Sequence, residues 1–461
     1  MSPTVASTRR VRVPAGPAVR RRALTFRARI PTLSRMGRVQ QRAGSPRLSG
    51  LSAVFRVAEF RALWSAEVLS VAGDQLARLA LTVVVLQRTG SPAWSAVVYA
   101  LTFLPALAGG VLLGPLADRF ARRTVMVAAD LVRAAMVATM AVPGVPLWAL
   151  AALVVLVVLA GAPHTAAQGA LLPDVLDGDL LQRGMAVRQI TAQAAQVAGF
   201  AAGGLVVAVL EPSAALLIDA LTFGVSALVV GTLVRRGEPS GRRPDGAPGA
   251  GATAAHAGVR AGLRLVLRHP RRRYLVCIAW LVGIFVLPEA LAASYAAAIG
   301  AGAVGTGILM AADPVGSVVG AWVFTRLVPA RWRDRALVPL AAGAAVPLLV
   351  APLASGLTAS FALWAASGAC ATAALVQAQA GFVRATPADV RGTATGVAAS
   401  GLVAAQGAAI LLGGLVAERT SPPVALAACG AGGLLLACGV LLMARTSGAT
   451  GVSAPQASGV A

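Results

Sequence analysis

The stretch Gly114-Pro-Leu-Ala-Asp118-Arg119-Phe-Ala-Arg122-Arg123 is a short polar segment between two long apolar runs. About twenty mostly apolar residues precede it, and an equally long apolar run begins at Thr124. Because each run can cross a bilayer as a helix, only the ten residues between them can turn in water. The segment therefore predicts a tight loop between transmembrane helices. Its three arginines place the loop in the cytoplasm, and Gly110 and Gly114 predict close packing on one helix face.

This loop resembles the signature loop between helices 2 and 3 of the major facilitator superfamily, which runs roughly Gly-x-x-x-Asp-Arg-x-x-Arg-Arg. The resemblance extends over about residues 58–445. It implies an all-α integral membrane protein with 12 transmembrane helices in two six-helix repeats. It also implies that the loop acts as a cytoplasmic gate, with Gly114, Asp118, Arg119, Arg122 and Arg123 as gate residues. The alternative is an ordinary basic loop that only fixes topology, although topology alone has no use for Asp118.

Two further segments resemble superfamily members described as drug or metabolite exporters. They are Leu217-Ile-Asp219-Ala-Leu-Thr-Phe223 and Gly392-Thr-Ala-Thr-Gly396. The fifth helix departs from the antiporter pattern, because Gly199-Phe200-Ala-Ala-Gly203-Gly204 lacks its proline. The fourth apolar run, 147–168, lacks the arginine often found there. The usual proton-coupling residues therefore cannot be carried over to this chain.

Composition also indicates a polytopic membrane protein. The 461 residues are 57% hydrophobic and only 12% charged, with a mean hydropathy of +0.77. All 40 basic residues are arginine, and they concentrate in residues 1–50 and in alternate loops, so the net charge of +23 does not indicate nucleic-acid binding. The cysteines lie in apolar runs without metal-ligand spacing, which predicts neither a disulfide nor a metal site.

Apolar runs long enough to cross a bilayer recur twelve times. Arginines mark one set of connections, so both termini and the long middle loop are expected in the cytoplasm of a cell-membrane protein. The predicted domains are a basic disordered tail (1–57), a six-helix bundle (58–234), a cytoplasmic linker (235–272), a second six-helix bundle (273–445) and a flexible tail (446–461). The predicted spans are 62–87, 93–115, 124–142, 147–168, 185–209, 213–234, 274–297, 303–325, 336–353, 358–381, 394–416 and 423–443.

The two sets of six spans are related by an internal repeat. Gly203-Gly-Leu-Val206 recurs as Gly413-Gly-Leu-Val416, and Pro212 recurs as Pro422, both at an offset of 210 residues. Arg119 has a counterpart in Arg326, whereas Thr325 stands where Asp118 would be expected. The pattern predicts a duplicated six-helix unit with a degenerate second gate loop.

Charged residues in the first span are the first candidates for a substrate or proton-coupling site. Glu67, Asp74 and Arg78 are seven and four residues apart, which keeps them on one helix face. Asp74 is predicted to pair with Arg78, and the pair has the alternative role of a structural bridge. Glu67 has no basic residue three or four positions away, so it is the better candidate for titration or cation binding. A charge in hydrocarbon costs about 2.5–3.5 kcal/mol, so each side chain should face protein or a wet cavity.

Five further charged residues lie in later spans. Asp130 and Arg133, one to two turns from the 114–123 loop, are predicted to help close the cytoplasmic gate. Asp219, Glu289 and Asp313 are lone acids and candidates for substrate or proton coupling. Prolines adjoin the last two and free backbone carbonyls, which indicates a cavity or hinge. The alternative for these two positions is a packing kink with a buried, hydrogen-bonded acid.

These features favour a secondary transporter that exports a small amphiphilic organic solute by alternating access. Protons are expected as the coupling ion by resemblance, no cofactor is expected, and the protein is expected to be a monomer whose partners are the solute and the bilayer. A nucleotide-binding loop would need a lysine, and the three scattered histidines form no catalytic motif, so an enzyme is not expected. The open alternative is a non-transporting receptor or scaffold that retains the transporter fold.

Overall fold

The computed structural model describes residues 52–235, 262–387 and 390–446. Every regular element in these ranges is helical. The predicted 1–51 part of the tail, the 236–261 part of the linker and residues 447–461 lie outside the described residues.

The first half contains six principal helices, with short elements between them. Ser52–Arg56 is a 3-10 helix before α1, and Leu116–Arg119 is a single helical turn between α2 and α3. The principal helices are α1 (Ala58–Thr89), α2 (Pro92–Leu101 with Ala106–Leu112), α3 (Arg122–Met140), α4 (Leu147–Val175), α5 (Gly178–Leu210) and α6 (Pro212–Leu233).

The second half repeats this arrangement. A short helix covers 262–268, and further short elements are Ala330–Arg333 and the 3-10 turn Ala351–Leu353. The principal helices are α7 (Pro270–Gly283 with Leu287–Ala298), α8 (Gly302–Leu327), α9 (Leu337–Leu349), α10 (Leu357–Ala385), α11 (Arg391–Arg419) and α12 (Pro422–Thr446).

Ten of these twelve helices are long and apolar enough to cross a membrane. The other two, α3 and α9, occupy the positions of the third and ninth predicted spans. α3 begins with two arginines and also contains Asp130 and Arg133, and α9 has only 13 residues. The all-helical transmembrane fold is therefore confirmed, and the twelve-helix count agrees with the order of elements.

The proline positions differ in their effect on the helices. α7 is interrupted by the 3-10 turn Ile284–Val286, and Pro288 lies in the first turn of the segment that follows. Pro314, by contrast, lies inside an uninterrupted α8. A proline removes one backbone hydrogen bond, and α8 retains its other bonds around that position. The helix is thus interrupted beside the proline in α7 and continuous through the proline in α8.

The repeated Gly-Gly pairs give the duplication a physical role. A Cβ at Gly203 would lie 3.2 Å from Leu76 Cα of α1, so this glycine allows α5 to approach its own half. A Cβ at Gly204 would lie 3.0 Å from Gly307 Cα of α8, in the other half. Gly414 faces α2 in the same way, where an added Cβ would lie 2.6 Å from Ala96 Cβ. The second glycine of each pair therefore allows two helices from different halves to touch.

The contacts between halves identified here lie toward the end of the bundle opposite the 114–123 loop. Gly204 and Gly414 are near the final turns of α5 and α11, and α2 and α8 begin at this end. Glu418 accepts hydrogen bonds from Ser91 Oγ at 2.7 Å and from the Ala93 amide at 3.2 Å. We call this region the far end, and the opposite region the loop end.

The prediction of a disordered tail over residues 1–57 needs correction for its last six residues. Residues 52–57 are not disordered, because Val54 is fully buried among apolar residues of α1, α4 and α5. The end of the linker is also folded: 262–268 is helical, Val266 is buried, and Gly262 packs against Thr393 of α11. Apolar residues within both segments supply buried contacts that a simple count of charges overlooks.

Candidate functional site

A cavity of about 670 Å³ lies within the first half. Side chains from all six helices of that half line it. Its volume is within the range of about 300–1,000 Å³ that is typical of small-molecule sites. Five of the predicted site residues line this cavity, namely Glu67, Asp74, Arg78, Arg133 and Asp219.

Glu67 forms an ion pair that was not expected from the sequence. The guanidinium of Arg188, on α5, donates two hydrogen bonds to the Glu67 carboxylate. Nη2 donates to Oε1 at 2.7 Å, and Nε donates to Oε2. Both side chains are about four-fifths buried. The interpretation of Glu67 as an acid without a basic partner is therefore wrong, because its partner comes from a helix 121 residues away in sequence.

Asp74 also pairs with a different arginine from the one predicted. Arg133 Nη2 of α3 donates to Asp74 Oδ1 at 3.0 Å and to Oδ2 at 3.3 Å. The Arg133 guanidinium lies 3.8 Å from the centre of the Phe223 ring, so it is held from two sides. Arg78 instead donates to Gln75 Oε1 of its own helix at 3.4 Å.

Asp130 lies behind the cavity wall and is fully buried. Ser226 Oγ donates to Asp130 Oδ2 at 2.6 Å, and Arg133 Nη1 lies 3.7 Å from Oδ1. His164 of α4 lines the cavity with its Nε2 3.5 Å from Asp130 Oδ2. The predicted Asp130–Arg133 neighbours therefore link α1, α3, α4 and α6, and Arg133 faces the cavity.

Asp219 is buried in α6 at the cavity wall. Its carboxylate accepts a hydrogen bond from Thr222 Oγ1 at 3.3 Å. Gly73 of α1 faces the same place, since a Cβ there would overlap the Asp219 carboxylate. The Leu217–Phe223 segment thus packs Asp219 against Gly73 of α1 and the Phe223 ring against Arg133 of α3.

Glu289 and Asp313 belong to a second group of buried polar residues. Glu289 is 6% exposed and accepts a hydrogen bond from the Tyr99 phenol, which comes from α2 in the other half. Ser317 hydrogen-bonds to Asp313, and Gly368 of α10 leaves room for that carboxylate. Among the described residues, no basic side chain lies within ion-pair distance of either acid.

The 114–123 loop makes its strongest contacts inside the first half. Arg122 donates to the Ala170 carbonyl at 2.9 Å and pairs with Asp174, both on α4. Arg123 donates to the Gly231 carbonyl at the end of α6. Asp118 and Arg119 are exposed. The loop thus ties α3 to α4 and α6.

The predicted packing of the loop glycines is only partly right. A Cβ at Gly110 would meet no atom within 4 Å, whereas one at Gly109 would lie 2.9 Å from Ala162 Cβ of α4. Gly114 lies two residues after Leu112, the last helical residue of α2, and a Cβ there would overlap the Gly110 carbonyl. The close contact with α4 is therefore made at Gly109, one residue before Gly110, and Gly114 lies in the turn after α2.

Three functional candidates were missed from the sequence: Arg188, His164 and Tyr99. The predicted span 185–209 puts Arg188 near its edge, but α5 begins at Gly178, so the residue lies ten positions inside the helix. The three histidines are scattered in the sequence, so spacing alone does not single out His164. The sequence offered a signal in both cases, since a basic or titratable residue within an apolar helix needs a partner.

The fold and the charged cavity define a polytopic helical membrane protein of the transporter type. A sequence profile of the Major Facilitator Superfamily matches residues 63–351, more than half of the chain. The protein belongs to this superfamily, as the 114–123 loop indicated.

Known proteins resemble the chain over different extents. The multidrug efflux pump Tap of Mycobacterium tuberculosis and its Mycobacterium bovis counterpart are 31% identical over 186 residues. This match covers 37% of the chain and 43% of each relative, so it spans less than half of either protein.

Solved transporter structures share the fold over most of the chain. The nucleoside transporter NupG has a TM-score of 0.65 at 14% identity, covering 83% of this chain and 98% of that one. The POT family transporter PepTSo has a TM-score of 0.66 at 13% identity, covering 85% and 98%. At these identities the likeness concerns the fold.

Proposed function

We propose that the protein is a secondary transporter that exports a small amphiphilic organic solute by alternating access, with protons as the coupling ion. The observation that carries this proposal is the cavity in the first half, because its wall holds three arginines and three acids inside transmembrane helices. Charges at this depth are costly, and membrane proteins use them for substrate and ion pathways. The likeness to an efflux pump supports export as the direction.

The positions of the inter-half contacts support an alternating mechanism. The glycine contacts and the Glu418 hydrogen bonds hold the halves together toward the far end. Arg122 and Arg123 of the 114–123 loop bind carbonyls of α4 and α6 in the first half, so closure of the loop end would require these arginines to exchange partners. We assign this arrangement to the state open toward the loop end, which we place in the cytoplasm. The protein then acts as a monomer in the cell membrane with both termini inside.

The paired and unpaired acids suggest different roles. Glu67 and Asp74 each bind an arginine, and these two ion pairs link helices. Asp219, Glu289 and Asp313 accept hydrogen bonds from hydroxyl groups instead. An acid held by a hydroxyl can gain or lose a proton without leaving an arginine unpaired. We therefore propose proton coupling at Asp219, Glu289 and Asp313 in preference to Glu67.

Inverted membrane vesicles with an imposed pH gradient test the function. A panel of amphiphilic solutes is expected to include at least one that accumulates with the gradient and stops accumulating when a protonophore is added. Vesicles without the protein and vesicles with the exposed charge variant Arg445→Gln serve as controls. Solute binding without gradient-driven flux in any vesicle would contradict transport and favour a receptor or scaffold.

A further inference from the structure

The cavity arginines differ in how their charge is compensated. Arg188 is bound by Glu67, and Arg133 is bound by Asp74 and stacked on Phe223. Arg78 has one long hydrogen bond to Gln75, at 3.4 Å. Among the described residues, no carboxylate oxygen lies within the 4.0 Å ion-pair distance of its guanidinium. Arg78 is therefore the cavity arginine without an ion-pair partner in the described part of the chain, although the carboxyl groups of Asp219 and Glu289 lie within electrostatic range of it.

Arg78 also lies deep in the helix bundle. It is eleven residues before the end of α1 at Thr89, or roughly 17 Å at about 1.5 Å per residue. The side chain is partly exposed, and the surface it retains contributes to the cavity wall. A charge at this depth is destabilising unless something pairs with it, and a ligand that enters the cavity can supply that partner.

The cavity changes character at the level of Arg78. On the loop-end side its wall carries the Glu67–Arg188 and Asp74–Arg133 pairs. On the far-end side the wall is mostly apolar, formed by Leu81, Phe103, Val137, Met140 and Val154, with the hydroxyl residue Thr102 beside Phe103. Arg78 is at the boundary, one helical turn before Leu81 on α1. A ligand with an anionic group joined to an apolar body can satisfy both surfaces at once.

We propose that Arg78 binds the anionic group of the substrate, so that the substrate class is amphiphilic organic anions such as aryl sulfonates or carboxylates. This inference rests on the proposed transport function and specifies the solute class. The guanidinium binds the anion through paired N–H donors, while the apolar body packs against Phe103 and its neighbours. A cationic amphiphile of the same shape is disfavoured, because its charge would adjoin Arg78.

Binding to the purified full-length protein tests the assignment without requiring transport. Calorimetric titrations would compare 1-naphthalenesulfonate, the neutral 1-naphthalenemethanol and the cationic 1-naphthylmethylammonium. The sulfonate is expected to bind at least tenfold more tightly than the cation. Arg78→Gln should weaken sulfonate binding at least tenfold and leave the neutral compound within about twofold, and Arg78→Lys should recover part of the loss. Arg445→Gln, which removes an exposed arginine at the end of α12, should change neither.

Several outcomes would overturn the proposal. Tighter binding of the cation, equal binding by wild type and Arg78→Gln, or no binding of any probe would each do so. A short-chain phosphatidylglycerol in the same titration separates a solute from a lipid headgroup. Arg78-dependent binding of that lipid without binding of the sulfonate would assign the anion site to a lipid and overturn the solute assignment. Sulfonate binding that persists without vesicle transport would contradict the transport function while supporting the anion site.

Discussion

Tyr99 in the first half donates its phenolic hydrogen to the carboxylate of Glu289 in the second half. Both side chains are buried, with exposed fractions of 1% and 6%. The bond joins α2 to the segment of α7 that follows its 3-10 interruption. A titratable acid therefore lies at a contact between the two halves, where a change in its protonation alters a hydrogen bond that holds them together.

Glu289→Gln should abolish solute accumulation driven by a pH gradient and preserve solute exchange across vesicles without a gradient. The glutamine can still accept the Tyr99 hydrogen bond, but it cannot exchange a proton. Both activities would be measured in reconstituted vesicles, with the exposed-loop variant Glu211→Gln as the matched control. Full gradient-driven accumulation by Glu289→Gln would exclude its coupling role and leave Asp313 and Asp219 as the acids to examine.

The Glu67–Arg188 pair should stabilise the fold measurably. Glu67→Gln and Arg188→Gln should each lower the free energy of unfolding by about 1.5–3 kcal/mol, because each leaves a charged partner without its hydrogen bonds. The double variant should lose less than the sum of the two. The free energy of unfolding of wild type and of the three variants would be measured in detergent by thermal denaturation.

The pair of Glu59 and the exposed Arg235 provides the control for that cycle. Its closest ion-pair distance is 3.7 Å and Arg235 is 94% exposed, so its coupling energy should be below about 1 kcal/mol. An equally small coupling energy for Glu67 and Arg188 would show that the cavity pair contributes no more than a surface ion pair.

The sequence predicted the helices well because membrane insertion depends on hydrophobicity along the chain. It predicted the partners of the charged residues poorly. Asp74 and Arg78 are neighbours on one helix, but Arg133 binds Asp74 from 59 residues away. Sequence spacing indicates which face of α1 carries Asp74, whereas the rotation of α3 relative to that face is set by tertiary packing. The same limitation concealed the Glu67–Arg188 pair.

The repeat was also visible in the sequence, but its function was not. The 210-residue offset relates Gly204 to Gly414. Only the packing shows that both glycines contact the opposite half, while Gly203 contacts its own. Hydropathy cannot distinguish Gly203 from Gly204, because the two residues are adjacent and chemically identical.

Gly204→Leu should prevent the halves from closing at the far end. The new side chain would displace Gly307 and Ala303 of α8, and neither backbone can yield without moving the helix. Transport should fall at least tenfold while membrane insertion is retained. Gly224→Leu is the matched control, because a Cβ at Gly224 meets no atom within 4 Å.

Closure at the far end can be measured directly in a cysteine-free background. Ser91→Cys and Glu418→Cys replace side chains that are hydrogen-bonded across the halves, so a short bis-maleimide should link them. Gly204→Leu should reduce this cross-linking, and Gly224→Leu should not. Unchanged cross-linking and transport in Gly204→Leu would show that the glycine contact is dispensable.

The orientation of the bundle in the membrane is the last prediction. Arginines concentrate at the loop end, which should therefore face the cytoplasm. In the cysteine-free background, Pro143→Cys lies in the far-end connection between α3 and α4, and Asp177→Cys lies in the loop-end connection between α4 and α5. Both positions are exposed, unlike Ser91, which is buried against Glu418. An impermeant maleimide added to intact cells should label Pro143→Cys alone. In permeabilised cells it should label both Pro143→Cys and Asp177→Cys. Labelling of Asp177→Cys alone in intact cells would invert the topology and remove the 114–123 loop from the cytoplasmic gate.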